Sequence, residues 1–191
     1  GLAVTGCDLQ PDPASRFLSS WGVEIFSGHD PAHVDEASAL VLTSAVPPNH
    51  PEVERARSRG LPVMKRAEAL EFWVRGKRVL AVAGTHGKTT TAAMATEILA
   101  AAGMDPTGLV GGRVSVWGSN LRFGSDELYV VEADEYDRSF HHLNPSVAVL
   151  TNLEADHLDI YQDLKGVETA FRLFLDRVEP EGMVVASGDD H

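Results

Sequence analysis

The residues best placed to do chemistry lie in one stretch, Gly84-Thr85-His86-Gly87-Lys88-Thr89-Thr90, directly after the apolar run at 79–83. An apolar strand that enters a glycine-bracketed loop and then a helix makes a phosphate cradle. Backbone N–H groups line the loop, and the helix N-terminus adds partial positive charge. Lys88 is placed to reach β- and γ-phosphates, and the Thr89 hydroxyl is a ligand type for Mg²⁺. The usual pattern wants glycine five residues before Gly87, where this chain has Val82. A tight strand–helix turn also needs glycine but has no use for Gly-Lys-Thr-Thr. The spacing therefore predicts nucleotide binding.

Two other polar segments follow apolar runs: Glu132-Ala-Asp-Glu-Tyr-Asp137 after 128–131, and Thr151-Asn-Leu-Glu-Ala-Asp-His157 after 147–150. Ligands of open parallel sheets sit outside the carboxyl ends of the strands, so all three segments are expected to converge on one nucleotide. A carboxylate just past a strand beside a phosphate loop is what Mg²⁺ binding requires. The plainer alternative is a solvated acidic turn. His157 likewise has two readings, a surface histidine or a ligand to a divalent ion, although Mg²⁺ prefers oxygen. His141 and His142 read as loop residues with no assigned role.

The elements that must position these groups follow from periodicity. Strands are expected at 2–5, 23–26, 40–43 and 62–64, with helices at 14–20, 52–59 and 67–74. Pro51 before one helix and Gly60 after it are start and stop signals. Such alternation predicts an α/β protein with parallel sheets and crossover helices. The polar Arg75-Gly76-Lys77 suggests a domain boundary, giving a Rossmann-like unit over 1–76 and a P-loop ATP-binding unit over 77–191. In the second unit a helix runs through 102, followed by a glycine-rich segment (Gly108, Gly111, Gly112, Gly118). A last helix carries Ala170, Phe171, Phe174, Leu175 and Val178, and a strand lies at 183–186.

Composition bounds the function. The chain has 191 residues, 43% of them hydrophobic and 23% charged, as in a soluble globular protein. No apolar run approaches the roughly 20 residues of a membrane span, so no membrane partner is expected. A net charge of −12 without a basic cluster argues against nucleic acid. One cysteine, Cys7, allows no internal disulfide, and a cytoplasmic location is expected.

The three motifs together resemble the Mur ligases, the ATP-dependent amide-forming enzymes of peptidoglycan precursor synthesis, which serve cell-wall biogenesis, cell shape and division. Ser139-Phe140 and Leu158-Asp-Ile-Tyr161 extend the match, and Gly28-His29, Thr43-Ser44-Ala45 and Arg66-Ala-Glu68 look like the branch that joins L-alanine to UDP-N-acetylmuramate. The resemblance implies catalytic roles for Lys88, Glu132 and His157, with Thr89, Glu132 and His157 serving Mg²⁺. It implies that Gly84 to Thr90 and Asn152 hold ATP, and that Asp8, His29, Ser44 and Arg66 line a uridine nucleotide site. Gly111 and Gly112 would approach the muramyl group.

The family's opening strand and Gly-rich loop would precede Gly1, and its amino-acid-binding C-terminal domain would follow His191, so the 191 residues alone are expected to be inactive. Sibling ligases carry a carbamylated lysine on the helix after Asp-His. Here that helix has Arg172 and no lysine beyond Lys165, which fits the alanine-adding branch. The rival within the family adds murein tripeptide, but a longer insertion is expected there than the seven residues between Asp137 and Pro145. A rival of another class is a P-loop switch, although the Asn-Lys-x-Asp element of guanine-specific switches is missing.

Overall fold

The computed structural model describes residues 2–10, 18–154, 161 and 163–188, with only the backbone described at Asp137 and Arg138. It divides into two compact units, Gly1–Ala69 and Leu70–His191, and the chain passes from one to the other within the helix Arg66–Val74.

In the first unit, β1 (Thr5–Asp8) pairs in parallel with β2 (Glu24–Ser27), and β3 (Leu40–Leu42) pairs in parallel with β4 (Val63–Lys65). A 3-10 turn, Pro31–Val34, is capped by Asp30, whose side chain accepts from the Ala32 N–H. Helix α1 (Pro51–Ser58) starts at Pro51, where a missing N–H costs no helical bond. Its inner face is Val53 and Ala56, both almost fully buried, as is Val34 in the turn. β1 begins three residues later than periodicity suggests. Leu2 and Val4 are exposed, and the register that holds the strand starts with Thr5 opposite Glu24. The helix expected at 14–20 lies mostly outside the described residues.

Helix α2 (Arg66–Val74) leads into the second unit. There β5 (Arg78–Ala83), β6 (Thr107–Val114), β7 (Ser119–Arg122), β8 (Leu128–Glu132), β9 (Val147–Leu150) and β10 (Met183–Ala186) form one sheet in the order β10-β9-β5-β8-β6-β7. All neighbours are parallel except the β6–β7 hairpin. The glycine-rich segment is thus largely a strand.

Side chains on a strand alternate between faces, and two cores result. Ala81, Ala83, Tyr129 and Val131 pack with Phe140, Phe171 and Phe174 on one face, while Val82, Val130 and Val110 pack with Ala92 on the other. Helix α3 (Lys88–Ala101) supplies Ala92, and α4 (Leu164–Leu175) supplies Val167, Ala170, Phe171 and Phe174 at helical spacing. Asp163 caps α4 by accepting from the Gly166 N–H at 2.8 Å. Burying each phenylalanine contributes about 1.5–3 kcal/mol. His141 and His142 lie in a 3-10 segment, Tyr136–His142, rather than a loop. The His141 ring stacks on Phe140, and its Nε2 lies 2.9 Å from the Ala170 carbonyl.

Candidate active site

Register brings the chemistry of the second unit together. Val82 of β5 lies opposite Glu132, the last residue of β8, and Leu109 of β6 lies opposite Val131. The carboxyl ends of β5, β6, β8 and β9 therefore open onto the same edge of the sheet. Val82 sits where a glycine was looked for, but it is fully buried in β5, ahead of the loop.

The loop is braced from β9. Asn152 accepts from the His86 N–H through Oδ1 at 2.8 Å and donates through Nδ2 to the His86 carbonyl at 3.1 Å. Its carbonyl accepts from the Thr85 N–H at 3.1 Å, and the Thr151 hydroxyl donates to the His86 carbonyl at 2.6 Å. The buried Thr85 hydroxyl accepts from the Glu154 N–H at 2.8 Å. Gly84 is required here: its φ is +135°, and a Cβ would lie 2.1 Å from Thr151 Oγ1. The N–H groups of the first turn of α3 have no intrahelical acceptor and can face a ligand. His86 and Thr90 are exposed.

Lys88 turns back over the loop. Its Nζ donates to the Gly84 carbonyl at 2.8 Å, to the Thr85 carbonyl at 3.2 Å and to Glu135 at 2.9 Å. Glu135 is 3% exposed, which makes this a buried ion pair. Beside it, the Thr89 hydroxyl lies 2.8–2.9 Å from both Glu132 oxygens, and the Gly111 N–H donates to the same carboxylate at 2.5 Å. Lys88, Thr89, Glu132, Gly111 and Asn152 are thereby brought into one constellation. His157 lies outside the described residues.

The first unit also presents polar groups at its strand ends: Asp8 closes β1, His29 follows β2, Ser44 follows β3, and Arg66 follows β4. Asp8 and Arg66 are exposed, as is Ser44. The Gly28 N–H donates to the Asp8 carbonyl at 2.8 Å, tying the first two ends together. Against the first two ends lies the buried carboxylate of Glu52, within 3.3 Å of Cys7 Sγ and 3.5 Å of His29 Nδ1. Burial pushes its pKa up, and bonds from His33, Cys7 and the Asp30 N–H more than offset this, leaving it below the ordinary value. The Cys7 thiol is pushed up to about 12, first by burial, then by its bond to Glu52 and by the charges of Glu52 and Asp8.

Comparison with known proteins places this arrangement. A family model described as the Mur ligase middle domain matches residues 82–191, and one described as Mur ligase family, catalytic domain, matches residues 1–78. The chain belongs to the Mur ligase family. A protein of Salinispora arenicola named UDP-N-acetylmuramate–L-alanine ligase is 45% identical over 190 residues, covering all of this chain and 37% of its own length. One of the same name from Roseiflexus is 47% identical over 191 residues, again over the whole chain and 41% of its own length.

Among solved Mur ligases, the Neisseria UDP-N-acetylmuramate:L-alanyl-γ-D-glutamyl-meso-diaminopimelate ligase superposes with a TM-score of 0.88. It is 36% identical and is matched over 98% of this chain and 64% of its own. The UDP-N-acetylmuramate–alanine ligase of Thermotoga maritima gives 0.86 at 28% identity, over 98% of this chain and 44% of its own. The chain spans about two-fifths of the length of the curated relatives it matches.

Glu135 is the residue that motif reading left without a role in this member of the family. It stands three positions beyond Glu132 in the same acidic run, and its pairing with Lys88 depends on the turn from β8 into the 3-10 segment. The Tyr161 hydroxyl donates to the Glu135 carbonyl and fixes that turn.

Proposed function

We propose that this chain is the nucleotide-binding part of a ligase that joins L-alanine to UDP-N-acetylmuramate. In this reading the lactyl carboxylate attacks the γ-phosphate of ATP, giving an acyl phosphate and ADP. The amino group of L-alanine then attacks the acyl carbon, phosphate leaves, and an amide remains. The observation that carries the reading is the pairing of Lys88 with Glu135 beside Thr89 and Glu132 at one sheet edge.

Two anions must meet in the first step, so their repulsion and the developing charge have to be offset. Lys88 would leave Glu135 for the phosphoryl oxygens, while the first-turn N–H groups of α3 hold the phosphate chain. Asn152 and Thr151 keep the loop in shape. Thr89 and Glu132 are the oxygen donors that Mg²⁺ takes, and the residues fit it. When bound, the ion would neutralise charge on the phosphate oxygens. His157 would serve a second ion. Asp8, His29, Ser44 and Arg66 would hold the uridine nucleotide, with Gly111 and Gly112 near the muramyl group, in a cytoplasmic enzyme.

A full-length enzyme carrying this chain, given ATP, UDP-N-acetylmuramate and either L-alanine or murein tripeptide, tests the proposal. Ligation of L-alanine is expected, with ADP release that requires the UDP-sugar. Preference for tripeptide would instead support the second reading, favoured by the likeness to the Neisseria structure. ADP release indifferent to the UDP-sugar would support a switch. Lys88→Ala is expected to slow acyl-phosphate formation on the order of 100- to 1000-fold while uridine nucleotide binding persists. Near-normal turnover would refute the assignment.

A further inference from the structure

Apart from the phosphate loop, the first unit gathers sulfur, nitrogen and oxygen donors at one point. Cys7 Sγ lies 3.4 Å from His29 Nδ1 and 3.2–3.3 Å from the Glu52 oxygens, and His29 Nδ1 lies 3.5 Å from Glu52 Oε2. Zinc bonds of about 2.3 Å to sulfur and about 2.0–2.1 Å to nitrogen or oxygen, at tetrahedral angles, place ligand atoms roughly 3.3–3.6 Å apart. The three observed separations lie close to the edges of that polyhedron before any cation is added.

We propose that Cys7, His29 and Glu52 form a Zn²⁺ site with its fourth position open to water. The donor set decides the metal class: thiolate with imidazole suits zinc and its first-row neighbours, whereas Mg²⁺ and Ca²⁺ take oxygen. Charge decides in the same direction, because a thiolate and a carboxylate together neutralise a dication. Loading breaks the Cys7 S–H bond, forms a sulfur–zinc bond and releases the proton to solvent, as coordination deprotonates a thiol outright.

Three separate elements hold the donors in place, namely β1, the turn after β2 and the first turn of α1. The Gly28 N–H to Asp8 carbonyl bond fixes the first two. His50 fixes the third by accepting from the Glu52 N–H at 3.3 Å. Outside the donors, His33 Nδ1 stands 2.9 Å from Glu52 Oε1, and the Asp30 N–H donates to that oxygen at 3.2 Å. These contacts set the direction of the carboxylate, as outer partners do around metal ligands. The His50 ring stands edge-on to His29, with centroids 4.6 Å apart. The His29 side chain keeps 27% of its surface exposed, which gives an ion a way in.

The proposal does not rest on the ligase reading, although the two share His29, and cobalt tests it without nucleotide present. Cys7 is the sole cysteine, so a thiolate-to-cobalt charge-transfer band from the metal-stripped 191-residue chain reports this site alone. The band is expected to saturate at one Co²⁺ per chain, to be displaced by Zn²⁺ and to vanish in Cys7→Ser. Zn²⁺ is expected to raise the melting temperature of the parent chain. His29→Gln should weaken Zn²⁺ binding on the order of 100-fold or more, while Thr89→Ala leaves the band unchanged. A chain without a charge-transfer band at stoichiometric cobalt overturns the proposal. So does a band of full strength in both His29→Gln and Glu52→Gln, since cobalt would then sit on the thiol alone. If Cys7→Ser loses its far-ultraviolet dichroism, the band in a folded His29→Gln carries the decision.

Discussion

The two units reach order by opposite means. The second stacks α3 and α4 on either face of a six-stranded sheet around two apolar clusters, with its buried carboxylate, Glu135, just past the end of β8. The first has two short strand pairs and, among its described residues, few fully buried apolar ones, while the buried Glu52 carboxylate links β1, the turn after β2 and α1. In a thick core, packing sets the backbone and frees polar groups at the strand ends for ligands. In a thin one, polar groups must fix the strand ends themselves, so structure and recognition draw on the same side chains.

The sharpest way to break this contrast is to remove apolar volume from the second unit. Phe174 is fully buried and stacks on Phe140 at 5.0 Å. Phe174→Ala is expected to cost about 3–5 kcal/mol in denaturant unfolding. A loss below about 1 kcal/mol would mean that packing is not what holds this unit.

Next in size is removal of the polar node. Glu52→Ala removes the acceptor shared by the Cys7 thiol, the Asp30 N–H and His33, at about 1–3 kcal/mol. Hydrogen exchange should rise at Asp30 and along β1 and β2. Unchanged exchange there would make the node incidental.

The smallest effect tests a surface pair of the second unit. Lys77 lies 2.8 Å from Asp126, and its bond holds the Asp126 carboxyl below the ordinary 3.8; a Tyr129 hydroxyl bond adds to this. A folded-state pKa lowered in this way gives stability that is complete above the unfolded value and lost as pH falls through the folded one. Asp126→Asn should therefore lower the melting temperature slightly at neutral pH, and the gap should close in acid. The gap should also shrink with added salt. A gap that persists in acid would place the effect in something other than charge.

Much of the second unit was legible because β5, β8 and β9 are continuous apolar runs, each leading into a polar motif. β9 and β10 lie where periodicity puts them, and β5, α3 and β8 differ by only a residue at an end. β6 was hidden by its glycines. Gly108 is needed because a Cβ there would lie 2.8 Å from Thr96 and 2.9 Å from Trp117, a demand of tertiary packing with no local signature. In the first unit, the family resemblance points to Asp8, His29, Ser44 and Arg66, which lie at or just after strand ends, whereas nothing in the sequence points to the Glu52 node. Its five partners come from positions 7 to 50, and no spacing rule joins a thiol, three imidazoles and an amide across three elements.

The Lys88–Glu135 pair also sets a threshold. An anion entering the loop gains Lys88 only by outbidding a carboxylate already 2.9 Å away and shielded from water. A singly charged visitor gains nothing from that exchange, whereas a polyphosphate brings several charges to one ammonium and to the first-turn N–H groups together. In the proposed reading the loop would discriminate by charge density before any base or sugar is read, and the displaced Glu135 would be left as a negative group beside the bound phosphate, ready to recapture the lysine once the anion departs.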